Sequence, residues 1–295
     1  MPELPEVETV RRALAPELEG ARITTATVLD PRWLQRPAPA EFSATLHGTR
    51  VERVGRAGKY LIWELDGGAQ LLLHLRMTGS LLYDAVAGQS YVRVHFDFDG
   101  GHTVDFVDPR RFGTGILLAS RGERDVYLAE RLGAEPMTPA FTVEYLQAAA
   151  KGRTTAIKSF LLDQRRIAGI GNIYADEALF RAGIHPLRPA GKLTAAQWAA
   201  LKVAIEQALQ AGIDAKGASI DDFRHPDGAR GSFQDSFLVH SRAGQACPTC
   251  GSKIIKLVVG GRGTYVCEHC QPRPRPRKPV AHAATTTASR SGKMA

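Results

Sequence analysis

All four cysteines of this 295-residue chain fall in one short stretch, Cys247-Pro-Thr-Cys250 and, sixteen residues later, Cys267-Glu-His-Cys270. Two C-x-x-C knuckles at that separation suit a tetrahedral zinc ion. Four thiolates close the coordination shell, so one zinc ion here is structural, and His269 is a bystander. The competing reading is two disulfides or redox pairs, which belong to oxidising compartments. The acidic N-terminus (Glu3, Glu6, Glu8) lacks a basic-then-apolar signal pattern, which argues against it. Between the knuckles, residues 253–259 and 262–266 alternate around Gly260-Gly261. That pattern predicts a β-hairpin with Arg262 at its turn.

The rest of the chain changes period part-way. Residues 5–15 place apolar groups at helical spacing, with Pro5 suited to a first turn. From about 22 to 119 the pattern is strand-like: Val92, Val94, Phe96 and Phe98 alternate with Arg93, His95 and Asp97. Residues 60–65 and 69–75 read as two more strands around Asp66-Gly67-Gly68, and Asp99-Gly100-Gly101 as a further hairpin turn. Short strands with turn signals suggest a β-sandwich. Pro136 and Pro139 mark a boundary, and beyond them the period becomes helical. Thr194-Ala-Ala-Gln197 opens a helix expected to end at Gly212. Asn172 is the expected N-cap of a helix over 173–182, and residues 213–236 read as a long loop. The fold class is therefore α+β and multidomain. We expect a β-sandwich domain over 1–136, a helical domain over 137–236, a zinc hairpin over 237–271 and a disordered tail over 272–295.

Charge needs locating before it is interpreted. The formal net charge is +8, yet residues 271–295 carry six basic residues and no acid. The body is only +2, so a nucleic-acid partner must be argued from particular side chains. No run approaches the ~18 apolar residues of a transmembrane helix, so no membrane partner is expected. Together with the absent signal pattern, this predicts a cytoplasmic protein.

The chain opens Met1-Pro2-Glu3-Leu4-Pro5-Glu6. A small second residue normally permits removal of the initiator Met, exposing the secondary amine of Pro2. An α-amine titrates at about 7.7–8.0 against about 10.4 for lysine, so it is the better nucleophile near neutrality. Attack on a sugar carbon gives an iminium, an electron sink for elimination, and Glu3 beside it can move protons. On this segment alone, a plain helix start is the favoured reading, since such starts are common.

Several motifs converge on one family. The segment from Pro2 to Glu8 resembles the N-terminus of bacterial formamidopyrimidine-DNA glycosylases. So do Gly58-Lys59-Tyr60, the stretch from His74 through Met77 to Ser80, Asp108-Pro-Arg-Arg-Phe-Gly113, Gly169-Ile-Gly-Asn172-Ile-Tyr-Ala175 and the cysteine hairpin with Arg262. These occur in the family's order over residues 2 to about 271. The resemblance implies a bifunctional enzyme that excises oxidised purines, such as 8-oxoguanine and formamidopyrimidines, from double-stranded DNA and cleaves the strand by β,δ-elimination. It implies Pro2 as Schiff-base nucleophile, Glu3 as acid and base, Lys59 for phosphate contact and β-elimination, and Arg262 as the finger arginine. Met77, Arg110 and Phe112 match residues that fill the hole left by an extruded base, with Arg111 beside them. Residues 169–172 match a helix–two-turn–helix, where helix-start amides and the Asn172 side chain are expected to hold a phosphate. Arg153, Thr154 and Lys158 are further DNA-contact candidates. Phe223, Ser232 and Phe233 are candidate pocket residues in a loop over 216–233. No redox or nucleotide cofactor is implied, and a monomer is expected.

There are departures. The family commonly has His-x-His where this chain has Tyr91-Val92-Arg93, though Tyr91 and Arg93 can still bond phosphate. Arg76 occupies a position that is often glycine. Two alternatives stand beside the main reading. One is an endonuclease VIII-like glycosylase for oxidised pyrimidines, which Leu4-Pro5, Arg110 and Phe112 disfavour. The other is a non-catalytic zinc-finger DNA-binding protein, which would form no covalent adduct.

Overall fold

The period-two alternation of the first 120 residues resolves into two four-stranded antiparallel sheets packed face to face. The computed structural model describes residues 1–86, 88–219 and 224–274. One sheet has the order β1 (Ile23–Val28), β6 (Val92–Phe98), β7 (Thr103–Val107), β5 (Ser80–Tyr83). The other runs β2 (Val51–Ala57), β3 (Tyr60–Leu65), β4 (Gln70–His74), β8 (Thr114–Leu118). Val94, Phe96 and Phe98 point into the sandwich and meet Leu61, Trp63 and Leu71 from the facing sheet. The Trp63 and Phe96 rings pack edge-to-face at 4.9 Å. Gly115 on β8 is required by packing, because a Cβ there would lie 2.0 Å from the Trp33 ring.

A helix interrupts the stretch that reads as continuous strand. Helix α2 (Pro39–Leu46) starts on a proline and lies along β1, an edge strand. Ser43 Oγ donates to the Ala26 carbonyl and His47 Nδ1 lies 2.6 Å from the Thr24 carbonyl oxygen. The helix thus occupies edge carbonyls that would otherwise be open to another strand. A second helix, α3 (Arg121–Ala129), capped by Ser120, follows β8.

The helical half contains α4 (Val143–Ala150), α5 (Ile157–Leu162), α6 (Asn172–Arg181) and α7 (Ala195–Asp214) around their own core. The Thr194–Gln197 capping box is present as expected. Helix α7 does not end at Gly212. It continues to Asp214, and Gly212 instead lets α7 approach α6, since a Cβ there would sit 2.4 Å from the Tyr174 hydroxyl. The described residues of this stretch, 213–219 and 224–236, also hold more structure than a long loop. Ala218 bridges Ser232, Phe233–Ser236 form a short 3-10 turn, and the Phe233 ring stacks on Tyr174 at 5.2 Å. Phe233 is therefore core rather than pocket, Ser232 is exposed, and Phe223 lies outside the described residues. The C-terminal hairpin pairs β9 (Ile255–Val259) with β10 (Arg262–Val266), narrower at its start than expected. Most of the tail, 275–295, lies outside the described residues.

Helix α1 (Leu4–Leu18) joins the two halves. Leu4 is buried in the helical core, while Val7, Val10, Leu14 and Leu18 belong to the sandwich core. On its polar side, Glu8 receives bonds from Arg11, Arg12 and Arg56. Burial alone would raise the Glu8 carboxyl, but these arginines win and hold it at about 2. A depressed carboxyl stabilises the fold above its ordinary value of 4.5, and that contribution fades as pH falls toward about 2. Urea midpoints of the chain and of Glu8→Gln should therefore differ near neutrality and converge across that window. A difference that persists undiminished at the acid end would contradict the assignment.

Candidate active site

The start of α1, the start of α6, the β2–β3 turn and the hairpin tip surround one cavity of about 570 Å³. Pro2, Glu3, Lys59, Met77, Asn172 and Arg262 all line it. The geometry centres on Glu3, which is the N-cap of α1 and is buried. Its backbone N–H donates to Glu6 Oε2 at 2.8 Å. Its carboxylate accepts from the backbone N–H groups of Gly171 at 2.7 Å, Ile173 at 3.0 Å and Tyr174 at 3.5 Å. One carboxylate thus sits at the N-termini of two helices, where unpaired N–H groups and the helix dipole favour negative charge.

This arrangement explains the two glycines of the 169–172 turn. A Cβ on Gly171 would fall 2.4 Å from the Glu3 carboxyl carbon. Gly169, at φ +86°, accepts the Leu4 N–H at 3.0 Å and has no room for a side chain against Leu4. The N-cap of α6 is Gly171, not Asn172, because a carboxylate from the start of the chain does the capping. The Ile173 amide expected to hold phosphate is taken by Glu3, and Asn172 Nδ2 donates to the Gly263 carbonyl at 3.0 Å.

Lys59 sits in the β2–β3 turn and is only 4% exposed. Burial pushes its ammonium below the ordinary lysine value, with Arg262 and Arg76 adding to the effect and Glu3 and Glu6 opposing it. Burial, and then the charge of Glu3, pushes Glu6 upward. His74, whose role the sequence left open, also lines the cavity. Burial, Arg76 and Lys59 push it down to about 3, so it is neutral near pH 7. Its Nδ1 accepts the Arg76 N–H at 3.0 Å, which leaves the proton on Nε2.

The four cysteine sulfurs lie within 4.8 Å of one another, with Cys250–Cys267 at 3.5 Å and Cys247–Cys270 at 3.8 Å. A tetrahedron with Zn–S bonds of about 2.3 Å has edges of about 3.8 Å, so the donor set fits one zinc ion.

Comparison with known proteins agrees with this geometry along the chain. Residues 1–115 match the formamidopyrimidine-DNA glycosylase N-terminal domain, 132–224 that family's H2TH domain, and 244–273 the zinc finger found in FPG and IleRS. A formamidopyrimidine-DNA glycosylase of Ruegeria pomeroyi is 45% identical over 285 residues, covering 92% of this chain and all of that relative. One from Chloroflexus aggregans is 47% identical over 92% of this chain and 98% of its own length. This chain belongs to the formamidopyrimidine-DNA glycosylase family. Among solved structures, that of the Thermus thermophilus protein aligns with a TM-score of 0.84 at 38% identity, covering 93% of this chain and all of the other. The Lactococcus lactis enzyme in complex with an abasic-site DNA aligns at 0.86 and 32% identity, covering 92% of this chain and all of the other. In keeping with the family's zinc finger, Cys247, Cys250, Cys267 and Cys270 bind one structural zinc ion.

Other residues expected from the family pattern are placed unevenly. The Asp108–Gly113 turn is preformed: the Asp108 carboxylate accepts from the Thr78 hydroxyl and from the N–H groups of Arg110 and Gly113. Arg110 and Phe112 project from it, with the guanidinium 5.0 Å from the ring centroid and Phe112 half exposed. Arg111 adopts φ +59° and lies 3.5 Å from Asp30. Tyr91 is exposed, but Arg93 is buried, donates to the Asp108 carbonyl and pairs with Asp30. That side chain props up the Asp108 turn and is not available as a phosphate contact. Arg153 donates to the Ala149 carbonyl, and Thr154 is exposed near the start of α5; neither lines the cavity.

Lys158 is the clearest correction. It is fully buried, 2.7 Å from Asp176, and donates to the Gly263 carbonyl at 2.9 Å and Thr264 Oγ1 at 2.8 Å. It fastens the hairpin to the helical domain one residue from Arg262 and has no surface open to solvent. Lys158→Met should cost about 3–5 kcal/mol, because it strips the cation from buried Asp176 Oδ1 and leaves only His240 and the Tyr265 N–H on Oδ2. Chemical denaturation measures this; a loss under about 1 kcal/mol would contradict it.

Proposed function

We propose that this chain excises oxidised purines from duplex DNA and then cleaves the strand, using Pro2 as nucleophile. The observation that carries this reading is the convergence of Pro2, Glu3, Lys59 and Arg262 on one cavity. Removal of Met1 frees the Pro2 amine, which attacks C1′ of the damaged nucleotide as the bond from C1′ to the base breaks. The Glu3 carboxylate takes the proton shed by the Pro2 nitrogen once it bonds C1′ and passes it to O4′, so the C1′–O4′ bond breaks and an iminium is left between Pro2 and C1′. The iminium accepts the electrons released when C2′ loses a proton, so the 3′ phosphate leaves, and a second elimination releases the 5′ phosphate. Lys59 and Arg262 hold these phosphates. Met77, Arg110 and Phe112 occupy the vacated stack, and Arg110 donates to the O2 and N3 acceptors of an orphaned cytosine. Tyr91, Arg111, Arg153, Thr154 and Asn172 are proposed DNA neighbours.

The organisation we propose is a catalytic sandwich over 1–136, a helical DNA-binding domain over 137–236, a zinc finger over 237–271 and a basic tail over 272–295, working as a cytoplasmic monomer. Among the described residues no helix is long and apolar enough to cross a membrane. Competing excision of 8-oxoguanine opposite cytosine against thymine glycol tests the substrate class. Strong preference for thymine glycol would overturn it.

All but the first two residues of the tail lie outside the family matches, which end at residue 273. Deleting 272–295 should leave excision from a short lesion duplex intact. It should lower nonspecific DNA affinity and flatten its dependence on salt, by about 0.9 in slope for each phosphate no longer neutralised. An unchanged slope, or loss of excision, would contradict this.

A further inference from the structure

We propose that Glu135, in the segment joining the two halves, is a positioning residue that sets Lys59 in the cavity. Its carboxylate spans the β2–β3 turn from outside: Oε2 accepts the Gly58 N–H at 2.6 Å and Oε1 meets Arg56 Nη2 at 2.6 Å. Arg56 Nη1 in turn donates to the Gly58 carbonyl at 2.9 Å. Both peptide groups of Gly58, the residue before Lys59, are therefore clamped. Gly58 adopts φ +56°, with Leu132 and Ala168 packed against it, so its backbone has little freedom of its own. The clamp is shielded, with the Arg56 side chain 11% exposed and that of Glu135 19%.

Glu135 is itself fixed to the other half. Gly133 N–H donates to the Gln164 carbonyl, Ala168 N–H to the Ala134 carbonyl, and Ala134 N–H to the Tyr145 hydroxyl. The segment 164–168 leads directly into the 169–172 turn that holds Glu3. Arg56 also bonds Glu8 on α1, the helix that Glu3 caps. One carboxylate therefore ties the Lys59 turn to the frame that fixes Glu3. An error of about 1 Å in placing a reacting group can cost about a hundredfold in rate, so this link bears on chemistry as well as on folding.

The inference rests on the reading that Lys59 acts in strand cleavage, and the experiment separates the two. Single-turnover excision and strand cleavage are measured for the zinc-loaded chain, Glu135→Ala, Glu135→Gln and Lys59→Ala, each corrected for active fraction by covalent trapping. Glu135→Ala should slow strand cleavage at least about tenfold with DNA affinity within about twofold. It should also shift the pH profile upward, because a hydrated Lys59 titrates closer to an ordinary lysine among Glu3, Glu6, Arg76, Arg262 and neutral His74. Glu135→Gln keeps an acceptor for the Gly58 N–H and should fall between; it carries the test if the alanine variant fails to fold. Unchanged rates, or a slower rate with no shift of the pH profile, overturn the inference. Full strand cleavage by Lys59→Ala overturns the reading of Lys59 beneath it.

Discussion

Replacing Glu3 with glutamine should lower base excision and strand cleavage by about 10²–10⁴-fold, the range for loss of a positioned acid or base. The structure makes this a chemical change more than a steric one. Glutamine has the same shape, yet it cannot supply or accept the proton at the sugar ring. There is also a structural cost. The carboxylate accepts from the N–H groups of Gly171, Ile173 and Tyr174 at the start of α6, on both oxygens. A side-chain amide must turn its NH₂ toward one of those donors, which leaves a buried N–H unpaired at about 1–3 kcal/mol. Thermal unfolding should therefore fall modestly while activity falls steeply. Activity within tenfold of the unmodified chain would remove Glu3 from the chemistry.

Stripping the zinc should produce the second large effect. Hairpin β9–β10 is two-stranded, and such a hairpin is marginal on its own in water. Its local core is small, built on Phe180, Val239, Cys247, Ile254 and Cys267. In zinc-finger peptides the metal contributes an apparent 10–16 kcal/mol or so at pH 7, far more than this core can replace. Chelation, or Cys267→Ser at a buried ligand, should release the tip that carries Arg262. Binding to a lesion duplex should then weaken by about 10–100-fold, the equivalent of one charge-assisted contact of roughly 1.5–3 kcal/mol. The sandwich should stay folded, since its core shares no residue with the finger. Metal analysis alongside fluorescence titration checks this; unaltered affinity in zinc-free protein would contradict it.

What could be read from the residues alone follows the range of the forces involved. Cysteine spacing, the period-two strands and the Thr194 capping box are local patterns, and the structure holds all three. Gly212 resembles a helix stop because its purpose, room for Tyr174, lies on another helix. Asn172 resembles an N-cap because nothing nearby reveals that Glu3, far away in sequence, caps α6. Lys158 resembles an exposed helical lysine, since neither Asp176 nor the Gly263 carbonyl can be paired with it by spacing. Arg93 sits in a clean alternation, yet it is buried against the Asp108 turn. Helix α2 has only eight residues, too few for its period to stand out among strands. The site residues at the chain start were legible through family resemblance. The clamp from Glu135 to Gly58, across 77 residues, was not.

The central claim is that the Pro2 amine bonds to C1′ of the damaged nucleotide. Borohydride reduction during reaction with an 8-oxoguanine duplex, followed by peptide mapping of the product, tests it most directly. The account predicts a stable protein–DNA adduct on Pro2 of a chain lacking Met1. No adduct from protein shown to be free of Met1, or an adduct on Lys59 alone, would contradict it.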